Sequence, residues 1–410
     1  MQHAGIYTYL KQQSGNNKLD QNMETAILEQ AIQKIGHLLT LGFGDAGSAI
    51  IAQNISSGGD MNPMLPGQKT YCIFGFCFVH DFSVATEVLQ TDVITFVNQI
   101  AEIAHTAVTK YGGSANKNLG DAYLFVWKLP NPNEFKTKEP LETVRFSHEN
   151  RNVADMSVFS FLKVLARIHK YQHVRRYRKH PEMLSAIPDY KVEMGFGLHV
   201  GWAIEGAIGS YFKIDASYLS PNVNLAARLE VATLQYGVSI LVSGELVSVM
   251  TRECKKLLRE IDVVTVKGSI KPIKLFTVDV RYDEIAEVAD RYKKLVMKEK
   301  KRMLDREKFV LWESLKRRAM STISVFRNDI DFTDLRKDYN KEFAKNWQEA
   351  YKHYIGGDWA MAHRLLKDGQ AMVPSDGPSK TLIRVIERMS KRPGFNAPDD
   401  WQGYRALTEK

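Results

Sequence analysis

The sequence predicts an α+β domain carried between helical flanks, and three observations lead there. Strand-like and helix-like segments alternate from residue 71 to about 281, as they do where helices pack against a sheet. Ahead of that stretch, residues 24 to 54 repeat apolar side chains at helical spacing, interrupted by glycines. Beyond Arg281 the chain turns highly charged and keeps a helical period. The expected organisation is an N-terminal helical coupling segment with its linker over 1–70, a central domain over 71–281 and a charged helical tail over 282–410.

In order along the chain, ETAILEQAIQKIGHLLTLGF places Ile27, Ala31, Ile35 and Leu38 on one stripe, and SAIIAQNI resumes the helix after the glycines. Gly58, Gly59, Pro63, Pro66 and Gly67 make a breaker-rich linker, after which YCIFGFCF changes the period to that of a strand. A helix over 92–110 follows from the spacing of Val93, Phe96, Val97, Ile100, Ala104, Ala107 and Val108. KYGG stops it, with Gly112 or Gly113 available for a left-handed C-cap. Next come a hairpin around Gly120, a Pro- and charge-rich insertion at 129–153 and a helix through FSFLKVLARIHKYQHVRRYRKH. The strand-rich VEMGFGLHVGWAIEGAIGS, a helix from PNVNLAARLE and the strand VSILVS complete the central domain. In the tail, KKLVMKEKKRMLDREK reads as a solvated helix. EFAKNWQEAYKHYIGGDWAMAHRLLKD reads as two amphipathic helices joined at Gly356 and Gly357, similar to one tetratricopeptide-like hairpin. A single copy needs neighbours to bury its faces.

At 410 residues, with 44% hydrophobic and 25% charged residues, the chain can build a sizeable core, and a largely disordered protein is excluded. Cys72, Cys77 and Cys254 are too few for a disulfide framework and match no zinc spacing, so a reducing compartment is expected. The net charge of +9 favours acidic partners without choosing among them. No stretch reaches the roughly 18 apolar residues of a spanning helix, and MQHAGIYTYLKQQSGNN has no signal-peptide core. The expected location is cytoplasmic, free or tied to a membrane or ciliary assembly through a partner or a missing segment.

Two motifs carry little. Gly42, Gly44 and Gly47 have the GxGxxG spacing of dinucleotide sites, but helical periodicity precedes them where a strand is required, so they read as a helix break. The basic run RRYRKH, Arg175 to His180, lacks stacking aromatics or a nucleic-acid module and reads as a solvated helix end; nucleic acid is not an expected partner.

More is carried by GGSANKNLGDAYLFVW, GFGLHVGWAIEGAIGS and DASYLSPNVNLAARLE, in that order. Together they resemble the class III adenylyl and guanylyl cyclases over roughly residues 71 to 281. IFGFC, DFSVATEVLQTDVITFVNQIAEIAH and VKGSIKPIKLFTVDV are similar to protist and algal members in particular. The resemblance implies a ferredoxin-like βαββαβ core acting as a head-to-tail dimer with nucleotide sites at the interface. It also implies two metal ions, Mg2+ or Mn2+, held by two aspartates of one subunit, while the partner reads the base and stabilises the transition state. That is the two-metal arrangement for in-line displacement.

On this resemblance Asp121 matches the metal-binding aspartate of the hairpin, and Val79 matches the position that lends a backbone carbonyl. The first-strand aspartate falls at Phe78, where the sequence departs from the family: phenylalanine has no oxygen for a hard cation. Phe82 and Ser83 fall where backbone N–H groups hold the triphosphate, with Asp81 adding negative charge in the same loop. Asn224 and Arg228 match the pair that orients the ribose and stabilises charge on phosphorus, and their i, i+4 spacing puts both on one helical face. Lys117 matches the purine-reading lysine of adenylyl cyclases and Ser217 its partner position, which favours ATP over GTP.

Two readings follow. In one, the chain is half of a heterodimeric cyclase and lends Lys117, Ser217, Asn224 and Arg228 to a partner with both aspartates. In the other, it is a non-catalytic pseudocyclase that keeps the fold for assembly. Asn224 and Arg228 favour the first, Phe78 and Asp81 the second.

Overall fold

The computed structural model describes residues 26–36, 66–137, 139–210, 213–266, 271–282, 285–287, 297–337, 339–390 and 394–407. The chain forms two compact units, Met1–Leu65 with Ala207–Ala216, and Pro66–Gly206 with Ser217–Lys410. In the first, helix α1 spans 26–36, with Ile27 and Ile35 exposed and Ala31 half-buried. Leu38, the GxGxxG glycines and SAIIAQNI lie outside the described residues.

The second unit begins with β1 (Gln68–Val79), α2 (Phe82–Leu89), α3 (Val93–Lys110), β2 (Ser114–Asn118), β3 (Ala122–Lys128), α4 (His148–Lys170), α5 (Pro181–Ala186) and β4 (Met194–Ser210), the residues of β4 from Ala207 on being counted in the first unit. The strands lie in the order β2-β3-β1-β4 with every pairing antiparallel. This is the βαββαβ arrangement expected from the sequence. Along β1, Ile73, Cys77 and Val79 face a core shared with Phe96, Ile100 and Ala104 of α3 and with Phe159 and Phe161 of α4. Helix α3 ends where expected: Gly112 takes the left-handed conformation at φ 82°, under the ring of Trp312.

The sheet continues through β5 (Lys213–Leu219), α6 (Pro221–Tyr236), β6 (Ile240–Ser243), α7 (Gly244–Val249), β7 (Leu258–Thr265) and β8 (Ile273–Val278). β6 runs parallel to β4, β8 and β7 follow antiparallel, and β5 pairs with β4. Helix α6 lies on the face opposite α3 and α4, directly on β4. GFGLHVGW explains the close approach, because Gly195, Gly197 and Gly201 all face α6. A Cβ at Gly197 would stand 2.2 Å from the carbonyl oxygen of Ala226.

Beyond Arg281 the chain is built onto this sheet. Residues 297–308 of the segment read as a solvated helix lie in α8 (Met297–Lys316), where Glu307 meets Lys110 at 2.6 Å; beyond that segment the same helix is docked, with Leu315 fully buried and the Trp312 indole donating to the Lys110 carbonyl at 3.2 Å. α9 (Thr322–Asn328) and α10 (Ile330–Leu335) pack on α4, where buried Lys163 meets Asp329 at 2.9 Å and Asp331 at 2.5 Å. The two helices joined at Gly356 and Gly357 are α11 (Lys341–Ile355) and α12 (Trp359–Met372), followed by α13 (Gly377–Met389). Trp347, Tyr354, Trp359, Leu382 and Ile386 form a second core with Leu229 and Tyr236 of α6 and with Ile261 and Leu275 of the sheet. The neighbours that a lone hairpin lacks are therefore the third helix and the sheet itself. A last strand, β9 (Arg405–Ala406), pairs parallel to β7 and places Arg405 2.9 Å from the buried Asp262 carboxylate. Among the described residues no helix is long and apolar enough to cross a membrane.

Candidate functional site

The end of β1 and the β2–β3 hairpin make one half of the site. Phe78 stands in register between Ala122 and Gly195. One residue on, the Val79 N–H donates to the Asp121 carbonyl at 2.8 Å. Gly120, at φ 82°, makes the turn that delivers Asp121 there. The chain then leaves the sheet through His80, whose N–H donates to the Glu193 carbonyl at 2.9 Å, and Asp81, left-handed at φ 54°. The Asp81 carbonyl accepts from Ala85 N–H and starts α2, so Phe82 and Ser83 are its first two residues. A helix start leaves such N–H groups without intrahelical acceptors and favours anions. Phe78, Val79, Phe82, Ser83 and Asp121 are thus gathered at one corner of the fold. Burial, with Asp81 close by, pushes the Tyr190 phenol well above its ordinary range.

Lys117 reaches the same face of the sheet by an irregularity. The β2–β3 register shifts between Ala115, opposite Phe125, and Lys117, opposite Leu124. Leu124 is itself opposite Phe76, so Lys117, Leu124 and Phe76 share one cross-strand row, and Phe78 follows two residues along β1. In an unbroken register Asn116 would take the place opposite Leu124 and Lys117 would fall opposite Tyr123, pointing into the α3–α4 core, since a one-residue slip reverses every side chain.

The other half is built on α6. Its N-cap is Ser220, whose hydroxyl accepts from Asn222 N–H at 3.0 Å and donates to the Trp202 carbonyl at 2.6 Å. Asn222 also donates to that carbonyl at 2.9 Å and accepts from His199 Nε2 at 3.1 Å; His199 Nδ1 in turn meets the Ser243 hydroxyl at 2.8 Å. Burial lowers the His199 pKa and keeps the ring neutral, with its proton on Nε2 facing the Asn222 oxygen. This chain of bonds sets the start of α6 over β4. Asn224, exposed, and Arg228, half-buried, then line a cleft of about 700 Å³ together with Trp202, Ile204, Tyr218 and Leu219. Asn224 does not cap the helix, and Glu230 turns under it to within 3.9 Å of His80. Ser217 is buried on β5 beside Tyr218, whose ring meets Phe74 at 5.9 Å between centroids.

The sequence profile of the adenylate and guanylate cyclase catalytic domain matches residues 69–279. The chain belongs to this family. Residues 3–56 also match the all-helical domain of RasGEFs. The cyclase domain is 26% identical over 212 residues to the terminal-differentiation-specific adenylate cyclase of Dictyostelium discoideum, covering 51% of this chain and 9% of that protein. It is 23% identical over 205 residues to an adenylate cyclase of Anabaena cylindrica, covering 50% of this chain and 36% of that one. The match thus spans well under half the length of these curated relatives. A solved bacterial light-regulated adenylyl cyclase is similar at 20% identity and a TM-score of 0.45, covering 71% of this chain and 72% of that one.

Within this cyclase domain the two groups of residues named from the sequence occupy different places. Phe78, Val79, Phe82, Ser83 and Asp121 surround the end of β1, whereas Asn224 and Arg228 line the α6 cleft. Sequence reasoning missed His199 and Asn222, which set α6. The signal was present, since His199 is the polar residue inside the apolar and glycine alternation of GFGLHVGW. The bulge at Asn116 has no comparable signal.

Proposed function

We propose that this chain serves the formation of cyclic AMP from ATP as the base-reading half of a two-chain cyclase. The observation that carries the reading is the contrast between the two half-sites. At the end of β1, Phe78 offers no oxygen and Asp121 supplies one carboxylate, so the family's pair of divalent ions does not fit this half. At α6, Asn224 and Arg228 share a cleft, held by the hydrogen bonds from His199 to Trp202. On this reading a partner chain brings both metal-binding carboxylates. Lys117, turned outward by the bulge, reads the adenine; Ser217, at the partner position by resemblance, is buried in this chain and would have to be uncovered to join it. Asn224 orients the ribose, and the Arg228 guanidinium offsets charge that develops on the transferring phosphorus.

The second reading, a non-catalytic subunit, is favoured by Phe78 together with Asp81, which sets a negative charge at the turn where a triphosphate would lie. One experiment separates the two: mixed dimers with a cyclase partner from the native source, carrying wild-type chain or Arg228→Ala. The half-enzyme reading expects Arg228→Ala to lower turnover roughly a hundredfold with little change in KM. Equal turnover of the two mixed dimers rejects it and leaves the non-catalytic subunit.

A further inference from the structure

We propose that the outward side of α8 docks on an anionic lipid surface. The inner side of this helix is committed: Leu315 is fully buried, the Trp312 indole donates to the Lys110 carbonyl and Glu307 pairs with Lys110 at 2.6 Å. At 100° per residue, the opposite side carries Arg302, Arg306, Phe309 and Lys316, with Arg317 just past its end and Glu299 and Glu313 as its acids. Glu313 is neutralised by Arg317 at 3.1 Å. Phe309 is 66% exposed, and Val310 and Met303, which lie about 100° or more further round the helix, are 55% and 41% exposed.

This pattern selects among possible occupants. A single exposed apolar residue is ordinary, but Phe309 set among Arg302, Arg306 and Lys316, with Val310 and Met303 exposed at the edge of the same side, combines two attractions that a bilayer offers together. Arginine and lysine stems lie along the interface with their charges at the lipid phosphates, while Phe309 enters the acyl boundary. A protein groove would have to bury Arg302 and Arg306 along with Phe309 and supply a partner for each charge. A protein that wraps a basic helix on all sides is excluded, because the inner side of α8 already rests on the α3 end of the fold. At about 1.5 Å per residue, α8 presents a strip about 30 Å long, enough for several lipid headgroups.

The test uses the full chain and sedimentation with vesicles, one set of phosphatidylcholine alone and one of two parts phosphatidylcholine to one part phosphatidylserine. Wild-type protein should pellet with the phosphatidylserine vesicles and stay in solution with the neutral ones, and salt should release it. The double variant Arg302→Glu, Arg306→Glu should bind the anionic vesicles at least about tenfold more weakly, and Phe309→Ser should also weaken binding. These positions are exposed, so circular dichroism should find both variants folded. Wild-type protein left in solution with the anionic vesicles, or unchanged sedimentation of either variant, overturns the proposal. Neither result depends on whether the chain takes part in catalysis.

Discussion

The backbone N–H of Val79 donates to the carbonyl oxygen of Asp121 across 2.8 Å, and this one bond ties the end of β1 to the hairpin tip. It places the Phe78 position beside Asp121, with a half-buried ring where the proposed reading puts the missing carboxylate. The isolated chain is expected to form cyclic AMP about a thousandfold more slowly than ordinary cyclases, equivalent to several kcal/mol of lost transition-state stabilisation. Phe78→Asp should raise Mn2+-supported formation by the isolated chain at least about tenfold. Unchanged product in a radiolabelled-ATP assay would show that something besides this position silences the site.

Gly197 is the tightest contact between the sheet and α6. Its missing Cβ leaves room for the Ala226 carbonyl, and that neighbour is backbone, which has little freedom to move. Gly197→Ala should therefore destabilise the fold by about 1–3 kcal/mol, read as a lower urea midpoint at unchanged slope. The measurement that matters is equilibrium unfolding with and without the substitution, and an unshifted midpoint would contradict the packing described.

Asp331 couples the C-terminal segment to α4. Burial opposes its ionisation, but Lys163 and Lys170, at 2.5 and 2.9 Å, outweigh burial and hold its pKa below the usual carboxylate range. The folded pKa is below the unfolded value of about 3.9, so the contribution is complete above roughly pH 5 and is lost as pH falls through the folded value. Asp331→Asn should accordingly lower the melting temperature at pH 7, and the gap between wild type and variant should close on acidification below about pH 4. A gap independent of pH would remove the ion pairs as its cause.

Arg405 reaches from the last strand to the fully buried Asp262, which also accepts from the Tyr236 hydroxyl at 2.6 Å. Arg405→Ala strands that carboxylate without its cation, and removing one partner of a buried pair costs about 3–5 kcal/mol. Combining it with Asp262→Asn should cost less than the sum of the two single changes, the mark of direct coupling. Thermal unfolding of the four proteins measures this, and strict additivity would argue against the pair.

Much of the architecture was legible because it is written locally. The alternation along YCIFGFCF, the helical spacing from Val93 to Val108 and the glycines of KYGG each encode an element within a dozen or so residues, and each is present as read. The order of the three cyclase motifs carried the βαββαβ topology, and the i, i+4 spacing of Asn224 and Arg228 was enough to put both in one cleft.

Other features depend on contacts between residues far apart in the chain, and no local pattern states them. Lys117 faces away from the helical core only because Asn116 is an extra residue against β3, a register that pairing with a second strand decides. The helices after Arg281 show which of their sides are apolar, yet only the fold decides what those sides meet: Leu315 is buried in the core with α3, and Trp347 and Trp359 in the core with α6 and the sheet. His199 reads as a stray polar residue until Ser243 and Asn222 close on its two nitrogens. Periodicity reports which side of an element is apolar; the tertiary structure alone decides what that side meets, because burial is a property of the pair of surfaces.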